Sequence, residues 1–184
     1  MIRVFLDKII DRRSSHFNLF FDNQWRVRSS TVSYGHDIEG AWLLYEAAVV
    51  VDDKQLIGEV CENLVQMVDV TMAEGSDIDG SVFNEKDTLS GHLDNDKHWW
   101  MQAEAMVGLA YALKITGKDI YRNQLEKVWH FIKKSMIDRQ NGEWFWRVNK
   151  DGIAITTEDK AGFWKCPYHN SRAMMEVITI VGQK

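Results

Sequence analysis

DIEGAWLLYEAAVVVD (37–52) and KQLIGEVCENLVQMVDVTMA (54–73) decide the fold between them. The first is apolar nearly all round, which predicts a helix buried on most of its surface. The second puts Leu56, Ile57, Val60, Leu64, Met67, Val68 and Met72 on one face with charges opposite, which predicts a helix that covers a core from outside. The same alternation recurs downstream. WWMQAEAMVGLAYALKI (99–115) is apolar all round, 118–137 is one-sided through Ile120, Leu125, Val128, Trp129, Ile132 and Met136, and RAMMEVITIVG (172–182) closes the chain with a shorter apolar helix over about 171–181. Residues 1–12 space Ile2, Phe5, Leu6, Ile9 and Ile10 as a helix that begins at Met1 with no capping residue before it. Outer, inner, outer, inner, outer, inner is the order, and it describes helical hairpins side by side, one layer inside another. Two short hairpins interrupt it, over 16–30 and over 143–156, where EWFWRV and IAIT flank an NKDG turn.

Composition agrees. The chain has 184 residues, 45% hydrophobic and 27% charged, enough for one domain burying roughly 70% of its unfolded surface. The single proline, Pro167, favours long helices over an all-β fold. No stretch approaches the ~20 apolar residues of a membrane helix, and MIRVFLDKII lacks the layout of a secretory signal, so a cytoplasmic protein with no membrane partner is expected. A net charge of −5 without a basic stripe argues against nucleic acid. Cys61 and Cys166 form no CxxC pair, so neither a disulfide framework nor a zinc site is suggested. HExxH, phosphate-loop, GxSxG and EF-hand patterns are missing from the sequence, and the expectation is a mechanism with no metal and no cofactor.

Candidate chemistry lies where the inner helices start. His36 precedes the first, Trp99 and Trp100 open the second, and Pro167, Tyr168 and His169 introduce the third, at intervals of about 65 residues. If the inner helices run parallel, these residues gather at one end of the layer with the positive ends of three helix dipoles, which disfavour protonated imidazole and keep it available as a base. Two bases across a pocket suit proton removal and return at a carbon beside a carbonyl. Equally, each histidine could cap a helix or satisfy a buried contact. Glu39 and Glu104 fall one turn into their helices, where a lone carboxylate is costly; Glu39 could orient His36 or hold a hydroxyl, Glu104 a hydroxyl or backbone donor, or both could make structural hydrogen bonds. Trp99, Trp100 and Trp164 are candidates for stacking on a sugar ring, whereas Trp42, Trp129 and Trp146 fit core or hairpin packing. His16, His92, His98 and His130 read as surface or loop residues.

SYGHDIEGAWLLYEAA (33–48), KHWWMQAEAMVGLAYA (97–112), GEWFWRV (142–148) and KAGFWKCPYHNSRAMMEV (160–177) together resemble the N-acylglucosamine 2-epimerase family, and most of all its cellobiose 2-epimerase branch. The resemblance runs over the whole chain, 1–184, but over the C-terminal half only of the family's domain, an (α/α)6 barrel. It implies an all-α half barrel of about six helices and an isomerase that epimerises C2 of the reducing-end sugar of a β-1,4-linked disaccharide, without cofactor. It implies that His36 and His169 remove and return the C2 proton through an enediolate, and that Glu39 supports the first histidine and touches sugar hydroxyls. Trp99 and Trp100 match the family's pair beside the reducing sugar, Glu104 the carboxylate one turn later, and Trp164 the platform for the second sugar. The family also draws an arginine and a histidine from its N-terminal half, which this chain does not match; that half's absence accounts for a helix without a cap at Met1. The alternatives are an N-acylglucosamine or monosaccharide 2-epimerase, an aldose–ketose isomerase, or a non-catalytic glycan-binding half barrel. An open half barrel bares apolar edges, so association with a missing N-terminal half or with itself is expected.

Overall fold

The computed structural model describes residues 1–182 of the chain. Helix α1 (Ile2–Val4) runs straight into a wider π-turn segment, Phe5–Ile9, and stops there. The remaining helices are α2 (Tyr34–Val51), α3 (Lys54–Glu74), α4 (Trp99–Thr116), α5 (Asp119–Phe131, extended by a π segment Ile132–Met136) and α6 (Tyr168–Val181). No described helix is long and apolar enough to cross a membrane.

Two tight reversals build the layers. α2 ends on Asp52 in the left-handed conformation, and the next residue, Asp53, caps α3 by accepting the amides of Gln55 and Leu56 at 2.9 and 3.1 Å. Gly117, at φ +68°, ends α4 just before α5. The partners of each hairpin are therefore antiparallel. α4 is the centre: α2 and α6 flank it, α5 backs it, and α3 backs α2. Leu64, Met67, Val68 and Met72 of α3 are buried, each contributing about 1.5–3 kcal/mol relative to exposure. Gln102 of α4 binds both the amide and the carbonyl of Val82, at 2.8 and 2.7 Å, and so ties the α3–α4 connection to the central helix.

The three inner helices run in one direction. Their first turns meet around His36, Trp100 and His169, while Glu46, Tyr111 and Glu176, well along α2, α4 and α6, meet at the other end through the Tyr111 hydroxyl, which donates to Glu46 at 2.6 Å with Glu176 at 3.4 Å.

Short strands decorate the end that carries the first turns. β1 (Ile10–Asp11) pairs with β2 (His16–Phe17); β3 (Thr31–Ser33), β4 (Glu85–Asp87) and β5 (Leu93–Asp94) form a three-stranded antiparallel sheet; β6 (Lys97–His98) pairs with β7 (Arg147–Val148). Both expected hairpins are present, closed by the Phe21–Val27 and Val148–Ala154 bridges. The first helix ends at Ile9 rather than at 12, because Ile10 and Asp11 turn extended to pair with β2.

Three expectations need correction. α2 and α6 start three residues earlier than their apolar runs, so His36, Tyr168 and His169 lie inside first turns rather than before them. Only α4 is buried all round. α2 and α6 stand at the ends of the inner layer with, among the described residues, no further inner helix beyond them; α1 and its π segment cover α2 only in part, and Leu43, Val50, Met175 and Ile178 stay exposed. His16 is not a surface residue: it is buried against Asp37.

Candidate active site

Gly35 sets the first wall. A Cβ there would lie 2.5 Å from the Trp100 ring, so its hydrogen lets the indole of α4 lie across the first turn of α2. Trp100 then lies beside both candidate bases, its ring centre 4.9 Å from that of His36 and 5.7 Å from that of His169. His36 is exposed, and its Nδ1 is 2.7 Å from the Ser33 hydroxyl. His169 is buried at the cleft wall, its ring 3.9 Å from that of Tyr168. Its Nδ1 is 2.5 Å from Glu104 Oε1, which leaves Nε2 as the nitrogen available to the cleft.

Glu104 has no exposed surface and is fully engaged by protein. Oε2 accepts the Trp42 indole N–H at 2.9 Å, and Oε1 accepts Arg172 at 2.7 Å beside the His169 contact. Arg172 donates to Glu39 as well, at 2.8 Å, and its guanidinium lies over the Trp42 ring at 4.9 Å. Burial opposes its charge, but the two carboxylates outweigh that and raise its pKa further. Glu39, Glu104 and His169 offer ligand-type atoms within 4.8 Å of one another, and the cation among them is this guanidinium. Glu39 therefore turns to Arg172 and to the neighbourhood of His169, 3.9 Å away, whereas His36 is held by Ser33.

The cleft measures about 290 Å³. His36, Glu39, Trp100, His169, Trp99 and Trp164 all border it, so every residue expected from the sequence except the enclosed Glu104 reaches it. The two neighbours of the tryptophan pair differ: Trp100 is half-buried at the cleft, while Trp99 is only 4% exposed and packs on Trp146 with ring centres 4.7 Å apart. Trp164, 76% exposed, stands at the rim.

Three neighbours of the cleft were not singled out in the sequence. His98, read there as a surface or loop residue, borders it, and burial together with Arg147 lowers its pKa and favours neutral imidazole. Tyr168 borders it from the α6 entry. Arg172 follows His169 by one helical turn, a spacing that could have flagged it as a same-face partner. His36 and Glu39 also border a second hollow of about 500 Å³, lined mainly by apolar side chains including Phe5, Phe20, Trp25 and Leu43.

This arrangement can bind a polyhydroxylated ring against indole faces and offer imidazole nitrogens from two sides. Residues 1–173 match the family profile described as N-acylglucosamine 2-epimerase (GlcNAc 2-epimerase). The chain is 44% identical over 178 residues to cellobiose 2-epimerase of Bacteroides fragilis, with 97% of this chain and 45% of that protein covered. Among solved structures it is similar to a sugar epimerase from a ruminal bacterium (TM-score 0.91, 32% identity) and to cellobiose 2-epimerase from Bacillus thermoamylovorans (TM-score 0.88, 35% identity). Each comparison covers 97% of this chain and 45% of the other. The chain thus spans just under half the length of these relatives, and its paired inner and outer helices are half of an (α/α)6 barrel. Profile, sequence and architecture agree that the chain belongs to the N-acylglucosamine 2-epimerase family.

Proposed function

We propose that this chain supplies the proton-transfer half of a cofactor-independent sugar 2-epimerase acting on the reducing end of a β-1,4-linked disaccharide. The observation that carries this reading is the pair of imidazoles, His36 and His169, both beside the Trp100 ring and both bordering one cleft. With the sugar ring opened, one histidine takes the C2 proton and the electron pair moves onto the C1 carbonyl oxygen, giving an enediolate. The other histidine delivers a proton to the opposite face of C2, which inverts it and interconverts glucose-type and mannose-type sugars. Trp100 lies beside the reducing sugar with Trp99 packed behind the cleft wall, and Trp164 at the rim receives the second ring. Glu39 binds hydroxyls from its seat on Arg172, and Glu104 orients His169 through Nδ1.

The developing negative charge needs a partner. Among the described residues bordering the cleft there is no lysine or arginine, and nearby Arg172 is committed to Glu39 and Glu104. Stabilisation of the enediolate therefore falls to a complementary half barrel, present as a separate polypeptide, as the remainder of a longer product or as a second copy. A glycan-binding half barrel without catalysis is the second reading, favoured by the indoles of Trp100 and Trp164 at a cleft whose described border holds no lysine or arginine.

Cellobiose in deuterated water, followed by NMR for deuterium at C2, separates the two. Deuterium is expected to enter when the chain is supplied with an N-terminal half from a relative, and His36→Asn or His169→Asn should slow entry by about 100-fold or more without loss of fold. Near-normal exchange in either variant would remove that histidine from the mechanism. No exchange from the completed barrel would leave the glycan-binding reading.

A further inference from the structure

The segment 157–167 carries two of the most exposed aromatic side chains of the protein. Phe163 and Trp164 are 92% and 76% exposed and stack edge to face with ring centres 5.0 Å apart. Side chains with so little burial do not fix their own backbone. Arg147 of β7 holds the start of the segment by donating to both Glu158 oxygens at 3.0 Å, and two lysines hold the rest from behind. Lys160 donates to Asp138 Oδ2 at 2.6 Å and to the Gly142 carbonyl at 2.8 Å. Lys165, whose side chain has no exposed surface, donates to Glu143 Oε1 at 3.2 Å and back to the Lys160 carbonyl at 2.9 Å, while the Gly162 amide donates to the Lys165 carbonyl at 2.8 Å. The Lys165 ammonium lies 5.2 Å from the centre of the Trp99 ring. Burial of an ammonium is costly and pulls the Lys165 pKa down even against Glu143.

Glu143 is where the contacts converge. Its Oε1 accepts the Trp144 amide at 2.9 Å, the Lys165 ammonium and the Asn170 side-chain amide at 2.8 Å. Its backbone sits at φ +63°, a region that favours glycine, and the contacts of its carboxylate offset that strain. Asn170 follows His169 in the first turn of α6. One carboxylate oxygen thus joins the segment bearing Trp164 to the helical turn bearing His169, and Glu143 itself does not border the cleft.

We propose that Glu143 and Lys165 are positioning residues that lock the Trp164 segment to the His169 turn, so that the aromatic platform and the proton-transfer imidazole keep a fixed spacing. The proposal rests on the sugar-platform and proton-carrier roles given above, but the coupling itself can be observed without substrate.

The test uses the chain as it stands, with two readouts: the rate of chymotryptic cleavage after Phe163 and Trp164, and the imidazole C–H resonances of His169. Glu143→Gln and Lys165→Met are each expected to speed cleavage about tenfold or more and to shift the His169 resonances. Lys160→Ala, which removes only the outer anchor, is expected to speed cleavage and leave His169 in place. Unchanged cleavage in Glu143→Gln and Lys165→Met, or faster cleavage with His169 unmoved in both, would overturn the coupling. If Glu143→Gln loses its fold by circular dichroism, Lys165→Met decides alone, because it cuts the joint on the side of the Trp164 segment and leaves the Glu143 contacts to Trp144 and Asn170 that support the fold. Cellobiose added to the unmodified chain tests the underlying reading separately: sugar that leaves the Trp164 and His169 signals untouched would sink the platform role while the coupling stands.

Discussion

Asp37 follows His36 in sequence and does a different task. It has no exposed surface; its Oδ2 is 2.7 Å from His16 Nδ1 and its Oδ1 accepts the Phe17 amide at 2.7 Å. The pair anchors β2 to the first turn of α2, and the Phe17 ring then fills the space over Gly40, where a Cβ would come within 2.1 Å of it. Burial alone would lower the His16 pKa, but the hydrogen bond and charge of Asp37, with help from Glu74, outweigh it and leave the pKa raised. A histidine whose folded pKa lies above its unfolded value contributes stability that is complete below about pH 6.5 and is lost as the pH rises through the folded pKa. Burial also holds the Asp37 carboxyl above its usual range, which softens the charge left behind, so His16→Gln should cost about 1–2 kcal/mol in urea unfolding at pH 6 and visibly less at pH 9. A cost that does not change with pH would mean that His16 is neutral in the fold. His36 and His169 were legible in the sequence because each marks the start of an apolar run. His16 and Lys165 were not, because their roles come from partners 21 and 22 residues away that only the folded chain brings near; the spacing of Arg172 from His169 marks a shared face, but its role comes from Glu104, 68 residues away.

Among the elements, α3 and α5 were the most legible, since a one-sided apolar stripe can be read directly from spacing. The starts of α2 and α6 were not, because neither has a side-chain cap: the Ser33 hydroxyl pairs with His36 instead of the helix amides, and Pro167 stands at the entry of α6. Strands of two or three residues have too few positions to show a period, so β3–β5 carry no signal in the sequence. The parallel inner helices also share a polar lock that no single-helix pattern could reveal. Tyr111 is stacked nearly parallel to Trp42 and donates to Glu46 with Glu176 close by, so one hydroxyl links α2, α4 and α6 at the end away from the cleft. Tyr111→Phe keeps the ring and removes the donor that stands between two carboxylates. It should lower stability by about 1–2 kcal/mol in urea unfolding, and Glu176→Gln in the same background should recover part of the loss by easing the repulsion. A Tyr111→Phe variant as stable as the parent would show that the lock is a contact without energetic consequence.

At the scale of the molecule the unfinished surfaces matter most. α4 is enclosed by neighbours on every side, yet α2 and α6, of similar apolar character, each have one flank bare: Leu43 and Val50 on α2, with Val50 85% exposed, and Met175 and Ile178 on α6, with Ile178 71% exposed. The flank of α2 continues into the apolar hollow bordered by Phe5, Phe20 and Trp25, which reaches His36 and Glu39 at the cleft. Apolar surface in contiguous patches marks a site of association, and here it lies on the two helices that would meet the rest of a closed ring. The chain alone is expected to self-associate in sedimentation velocity at micromolar concentrations. Leu43→Glu combined with Met175→Glu should shift it toward monomer while changing stability by no more than about 1 kcal/mol, because both side chains already face water. Supplying an N-terminal half should compete with self-association, giving a one-to-one species in place of the homo-oligomer, and the double variant should weaken that complex too. A parent chain that sediments as a well-folded monomer would mean that these flanks are tolerated by water, and the need for a covering partner would fall with it.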